Sequence, residues 1–270
     1  MGHHEQMHAQ PGVGIRPDTP VDAGAPAMRS APDPPMPGPD QRHLPATSFR
    51  SRRSALSGAQ RDTWERRWPE LGLSLGDRDS VGGEPLDTRG WFGRAAPLVL
   101  EVGCGSGSST LAMAKQEPGI DVIAVEVYRR GLAQLLCAVD RDRVANIRMI
   151  RGNGIEVLQR LIAPGSLIGV RVFFPDPWPK ARHHKRRFLQ PATMGMIADR
   201  LLPGGVLHAA TDHPGYAGHI AEAGDSEPRL RRADPGAPLP ISVARPTTKY
   251  ETKAHEAGST VTELIWVRPE

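Results

Sequence analysis

Between residues 97 and 210, short apolar runs alternate with stretches of helical period. LVLEV (98–102), DVIAVEV (121–127), NIRMI (146–150), VRVFF (170–174) and GGVLHAA (204–210) are too short for helices and rich in Val, Ile and Leu, so they read as strands. Helical patterns fill the intervals at 108–116, 128–139, 154–162 and 188–201. Such alternation predicts an α/β domain whose strands are mostly parallel and joined by helical crossovers, because parallel neighbours need a long connection that returns the chain to the same end of the sheet. The run 261–267 is a further strand candidate, expected at a sheet edge. Upstream, Ser57-Gly58-Ala59-Gln60 has the spacing of a capping box and predicts a helix carrying Trp64 and Trp68 that ends at Pro69. That helix either supports substrate binding or covers the core. The Gly-rich, charged stretch 73–94 reads as linker or mobile loop. No internal repeat is present.

Composition changes this picture at the start of the chain. Residues 1–45 hold ten prolines and no Phe, Trp or Tyr, too little apolar surface to offset the entropy of ordering, so a disordered tail is expected before a single domain over 46–270. No run approaches the roughly 20 apolar residues that span a bilayer, and the Pro-rich start lacks the apolar centre of a signal peptide, so a cytoplasmic protein without a membrane partner is expected. Cys104 and Cys137 form neither a CxxC pair nor a disulfide framework and read as reduced thiols; no metal site is expected. The formal charge of +4 is too small to imply a nucleic-acid partner by itself. Clustering says more. Arg50, Arg52 and Arg53 form one basic group, and Lys180, Arg182, Lys185, Arg186 and Arg187, with His183 and His184 among them, form another of the kind that binds phosphates.

Candidate chemistry begins at Leu100-Glu101-Val102-Gly103-Cys104-Gly105-Ser106-Gly107, three alternate glycines between a strand and a helix. Without a Cβ, Gly103, Gly105 and Gly107 let a ligand approach the backbone, and the helix that follows opens with unpaired N–H groups. A dinucleotide fingerprint needs a glycine at 108, where Ser108 stands, so a dehydrogenase reading weakens. Glu126 ends the next strand, where a carboxylate can accept from ribose hydroxyls. Asn153 follows the third strand and either reaches an adenine edge or caps the helix beginning near Gly154. Glu101 could hold an amino-acid end of the ligand, directly or through water. Their placement at the carboxyl ends of successive strands is where ligands bind in open α/β sheets. After the fourth strand, Pro175-Asp176-Pro177-Trp178-Pro179-Lys180 is stiffened by its prolines, and it offers one carboxylate and one ring in the manner of a base-binding platform.

The stretch FPDPWPKARHHKRR strongly resembles the corresponding motif of bacterial tRNA (guanine-N7-)-methyltransferases. The likeness extends to SFRSRR at 48–53, LEVGCGSG at the glycine loop, ATD at 210–212 and RPTTKYE at 245–251, and so covers residues 46–270. It implies a Rossmann-like class I methyltransferase fold with a mostly parallel seven-stranded sheet flanked by helices, S-adenosyl-L-methionine as cofactor and tRNA as partner. The implied reaction is methyl transfer to N7 of a guanosine in the tRNA variable loop. By the same resemblance, Glu101, Glu126, Asn153 and Asp176 bind the cofactor, Lys180, Asp212, Thr248, Lys249, Tyr250 and Glu251 bind the guanosine, and Asp176 is also catalytic. Two positions depart from the family's pattern: Cys104 stands where an aromatic is common, and Asn153 where an acid is. Read without the resemblance, 248–251 is an ordinary polar loop. Two other functions remain open: methylation of an exocyclic amine such as adenine N6, and an RNA-binding module whose cofactor site is inactive. Monomer and homodimer also remain open.

Overall fold

Both LVLEV and DVIAVE are buried at every position, which a strand achieves only when both sheet faces are covered. In the computed structural model, which describes residues 55–78, 84–246 and 260–270, these runs become β2 (Leu98–Val102) and β3 (Asp121–Glu126) at the centre of an eight-stranded sheet. The other strands are β1 (Gly72–Ser74), β4 (Ile147–Arg151), β5 (Leu167–Phe173), β6 (Leu201–Thr211), β7 (Arg231–Arg232) and β8 (Thr262–Val267). Their order is β1-β4-β3-β2-β5-β6-β8-β7; the first six run parallel, and β8 is antiparallel to both β6 and β7. The order reverses beside β2, which pairs with β3 on one side and β5 on the other, and such a switch point opens a crevice at the strands' carboxyl ends.

Alternation along the strands sorts the core into two layers. Leu98, Leu100, Val102, Ile123 and Val125 point to the side covered by α5 (Gly154–Arg160), α6 (Pro191–Arg200) and α7 (Pro214–Asp225). Val99, Val122 and Ala124 point to the other, beneath α1 (Gly58–Leu71), α3 (Ser108–Gln116) and α4 (Arg129–Asp142). Helix α4 buries Leu132, Leu135, Leu136 and Val139, the stripe a 3.6-residue period produces.

Four expectations are corrected. The sheet has eight strands among the described residues, not seven, because residues 73–94 are only in part a loop. Gly72–Ser74 pairs with the edge of β4, Leu75 enters the core, and α2 (Thr88–Phe92) starts at an Asp87 cap and stops at Gly93, whose φ is +71°. Scattered apolar residues suffice there, since Leu73, Leu86, Trp91 and Phe92 pack against the core while Glu84, Asp87, Arg89 and Arg94 stay exposed. Helix α1 has the capping box at Ser57 and Gln60, yet it runs through Pro69 to Leu71. The proline falls in the last turn, and the Gly72 N–H donates to the Trp68 carbonyl to close it. This helix covers the core: Trp64 and Trp68 stack at 3.8 Å, and the Arg66 guanidinium holds Asp140 of α4 through bonds of 3.1 and 2.7 Å. Finally, 262–267 is not an edge strand, because Arg231–Arg232 pairs outside it. The Pro-rich tail, the Arg50, Arg52 and Arg53 group and the segment 248–251 lie outside the described residues.

Candidate active site

The glycine loop leaves β2 with Gly103, Gly105 and Gly107 at φ of +77°, +57° and +73°, a region closed to most side chains. A Cβ at Gly103 or Gly105 would meet nothing within 4 Å among the described residues, which leave open space over both. At Gly107 it would strike Leu135, and a Cβ on Gly131 would lie 2.2 Å from the Gly105 carbonyl oxygen. The first two glycines thus leave room for a ligand, while the third permits close helix packing. The Cys104 thiol, pushed well above its usual range by burial and then by Glu101 and Glu126, stays protonated and packs.

Glu126 is nearly buried and already well bonded. One carboxylate oxygen accepts from the Val127 and Tyr128 N–H groups at 2.7 and 3.0 Å, and the other from the Gly105 N–H at 3.0 Å. It therefore ties the glycine loop to the end of β3. Of about four lone-pair directions on a carboxylate, one is left to accept from a ligand. Asn153 is the cap of α5, its Oδ1 accepting from the Ile155 N–H at 2.9 Å, and it also lines the crevice.

That crevice is a cavity of about 250 Å³ at the carboxyl ends of β2, β3, β4 and β5. Gly103, Glu126, Asn153 and Asp176 all line it, as do Phe174, Trp178, Arg186 and Phe188. Gly105, Gly107 and Glu101 do not form its wall. Glu101 sits behind the loop, 3% exposed, accepting from the Thr110 hydroxyl at 2.9 Å, while its Oε2 is buried with no partner among the described residues. Burial raises its carboxyl above the usual range, and Thr110 and Arg171 partly offset this. An orphaned acid oxygen beneath a glycine cradle fits a ligand that brings an ammonium group, so these residues suit S-adenosylmethionine.

The segment after β5 is strained. Phe174 and Trp178 have φ of +51° and +44°, positions that non-glycine residues occupy only when their surroundings hold them. The Phe174 N–H donates to Ala210 at 2.8 Å, the Arg245 guanidinium lies 4.8 Å over the Phe174 ring, and Arg186 lies 5.1 Å over Trp178. Lys180 opens the 3₁₀ turn Ala181–Arg186 and is exposed, as is Asp212, which follows β6. Arg187 is corrected: it does not face solvent with the other cations but is 3% exposed, its Nε–H on the Pro177 carbonyl at 2.9 Å. Arg187, Tyr216 and Arg245 are the supports that the sequence did not disclose. A basic run reads the same whether one member turns inward or not.

This strand order, with a glycine cradle after β2, an acid ending β3 and an aromatic wall after β5, defines an S-adenosylmethionine-dependent methyltransferase of the Rossmann-like class. Residues 95–264 match the family Methyltransf_4, described as "Putative methyltransferase". Among curated proteins, the tRNA (guanine-N(7)-)-methyltransferase of Mycobacterium avium is 71% identical, over 99% of this chain and all of the relative. The proteins of the same name from Mycolicibacterium paratuberculosis and Mycobacterium tuberculosis are 70% and 67% identical, over 99% and 98% of this chain and 100% and 95% of theirs. The chain belongs to the tRNA (guanine-N7-)-methyltransferase family.

Proposed function

We propose that the protein methylates N7 of a guanosine in the variable loop of tRNA, giving 7-methylguanosine and S-adenosylhomocysteine. The observation that carries this reading is the meeting of Glu126, Asn153 and Asp176 in one cavity walled by Phe174 and Trp178. Bound there, S-adenosylmethionine supplies an electrophilic methyl group on a sulfonium. Glu126 and Asn153 hold its nucleoside part, and the glycine loop, with Glu101 behind it, receives its charged amino end.

Guanine N7 carries an in-plane lone pair, so the chain's residues need not remove a proton before attack. Their task is placement, which can contribute up to roughly 7–11 kcal/mol when reacting atoms are held in contact. Asp176 accepts from the guanine Watson–Crick edge and, with Asp212, stabilises the positive charge that develops on the purine. Lys180 holds the base carbonyl or a phosphate, and Thr248, Lys249, Tyr250 and Glu251 complete the guanosine site. A tRNA substrate places the protein in the cytosol.

Labelled cofactor and total unmodified tRNA test this, followed by digestion to nucleosides. The expected product is 7-methylguanosine, with Asp176→Ala slower by about a hundredfold. N6-methyladenosine as the labelled product overturns the base assignment, and near-normal activity of Asp176→Ala overturns the residue's role.

A further inference from the structure

Pro175, Pro177 and Pro179 remove three of the backbone donors with which the 175–179 segment could pin itself, so its anchoring must come through its carbonyls and rings. Arg187 meets that need from inside the protein. Its Nε–H reaches the Pro177 carbonyl between Asp176 and Trp178, and its guanidinium lies 4.8 Å over the Tyr216 ring. Tyr216 is fully buried in the first turn of α7, and its hydroxyl accepts from the Leu189 N–H at 3.0 Å, two residues beyond Arg187. The Tyr216 N–H in turn donates to the His213 ring at 3.2 Å, immediately after Asp212. Burial pushes the Tyr216 hydroxyl up to about 12, so it stays neutral beneath the cation.

We propose that Arg187 and Tyr216 are a positioning pair that fixes the Asp176 loop against the Asp212 turn, setting the spacing between the two acids that hold the guanine. The proposal rests on the reading of Asp176 and Asp212 given above. Neither Arg187 nor Tyr216 lines the cofactor cavity itself, where Glu126, Asn153 and Gly103 lie on other elements, so the pair acts chiefly on placement of the base through the segment it holds. The fixed fork of an arginine suits it, because one group both donates to a carbonyl and stacks flat on a ring.

Full-length Arg187→Met, Arg187→Lys, Tyr216→Phe and Asp176→Ala test the pair, each measured for thermal midpoint, S-adenosylmethionine affinity by calorimetry, and kcat and KM on unmodified tRNA. Arg187→Met is expected to bind cofactor within about twofold of wild type. Its kcat should fall about tenfold to a hundredfold, as displacement of a reacting group by an ångström does. Arg187→Lys, which keeps the charge and one donor, should recover part of that kcat. If Arg187→Met does not fold, Tyr216→Phe decides, with a smaller kcat loss expected at unchanged cofactor affinity. A folded Arg187→Met or Tyr216→Phe with wild-type kcat, beside an inactive Asp176→Ala, overturns the pair and leaves the guanine site standing. An active Asp176→Ala instead overturns that site, and with it the spacing assigned to the pair. Parallel loss of thermal midpoint, cofactor affinity and kcat in both Arg187→Met and Tyr216→Phe also overturns the pair, showing a structural role alone.

Discussion

Two glutamates one strand apart illustrate how burial and bonding assign different work to the same side chain. Glu126 satisfies three backbone donors, so Glu126→Ala strands the Gly105, Val127 and Tyr128 N–H groups. We expect a stability loss of about 1–3 kcal/mol in urea unfolding and cofactor affinity weaker by about tenfold or more in calorimetry, about 1.4 kcal/mol; wild-type affinity would show that the ribose is held elsewhere. Glu101 is buried with one oxygen unpaired, and burial raises its carboxyl. The folded state therefore keeps that proton to higher pH than the unfolded chain, whose carboxyl titrates near 4.5. Its contribution to stability is complete below that value and is lost as pH rises through the raised one. Glu101→Gln should flatten this part of the stability–pH profile in denaturant titrations, and a profile parallel to wild type would count against the assignment. Sequence placed both acids at strand ends but could not separate their roles, since neither Thr110 nor Tyr128 advertises its partner.

At the level of the element, the glycine loop separates packing from binding. Gly105→Ala and Gly107→Ala both force a side chain to positive φ, at a cost of about 1–3 kcal/mol each. Only Gly107→Ala also drives a Cβ against Leu135, so it should show the larger fall in thermal midpoint. Gly105→Ala puts its methyl in open space over the cradle and should show the larger fall in cofactor affinity. Equal effects on both measurements would mean that the two glycines do one job. The loop, α3 and the central strands were legible because their period and punctuation are local. The strand at 72–74, the passage of α1 through Pro69 and the inner position of β8 were not, because each depends on a neighbour distant in sequence or on a turn closed from outside the helix: β4, the Trp68 carbonyl and Arg231–Arg232.

Across the whole molecule, charge on the 3₁₀ turn after the Asp176 segment and the closing of the sheet by β8 set the remaining expectations. Lys185 is exposed beside Arg182 and Lys180, and KM for tRNA should rise steeply with salt. Lys185→Gln should flatten the logarithmic salt dependence by about 0.7–0.9 for each phosphate that the lysine neutralises, and an unchanged slope would remove this turn from the RNA interface. Trp266 joins β8 to α7, fully buried, its Nε1–H on Asp225 at 2.9 Å and the Arg232 guanidinium 4.4 Å over its ring. Trp266→Ala should cost about 3–5 kcal/mol in thermal or denaturant unfolding, because the space it leaves beneath Gly224 cannot refill. The sequence by itself determined the α/β pattern, the glycine loop and the stiff Asp176 segment, since strand length, helical period, glycine and proline act through neighbouring residues. Only the tertiary structure decided that Arg187 turns inward to Pro177 and Tyr216, that Glu101 lies behind the cradle and that Glu126 spends three of its acceptor sites on backbone. Those outcomes depend on which polar atoms burial leaves without water, and no local pattern encodes them.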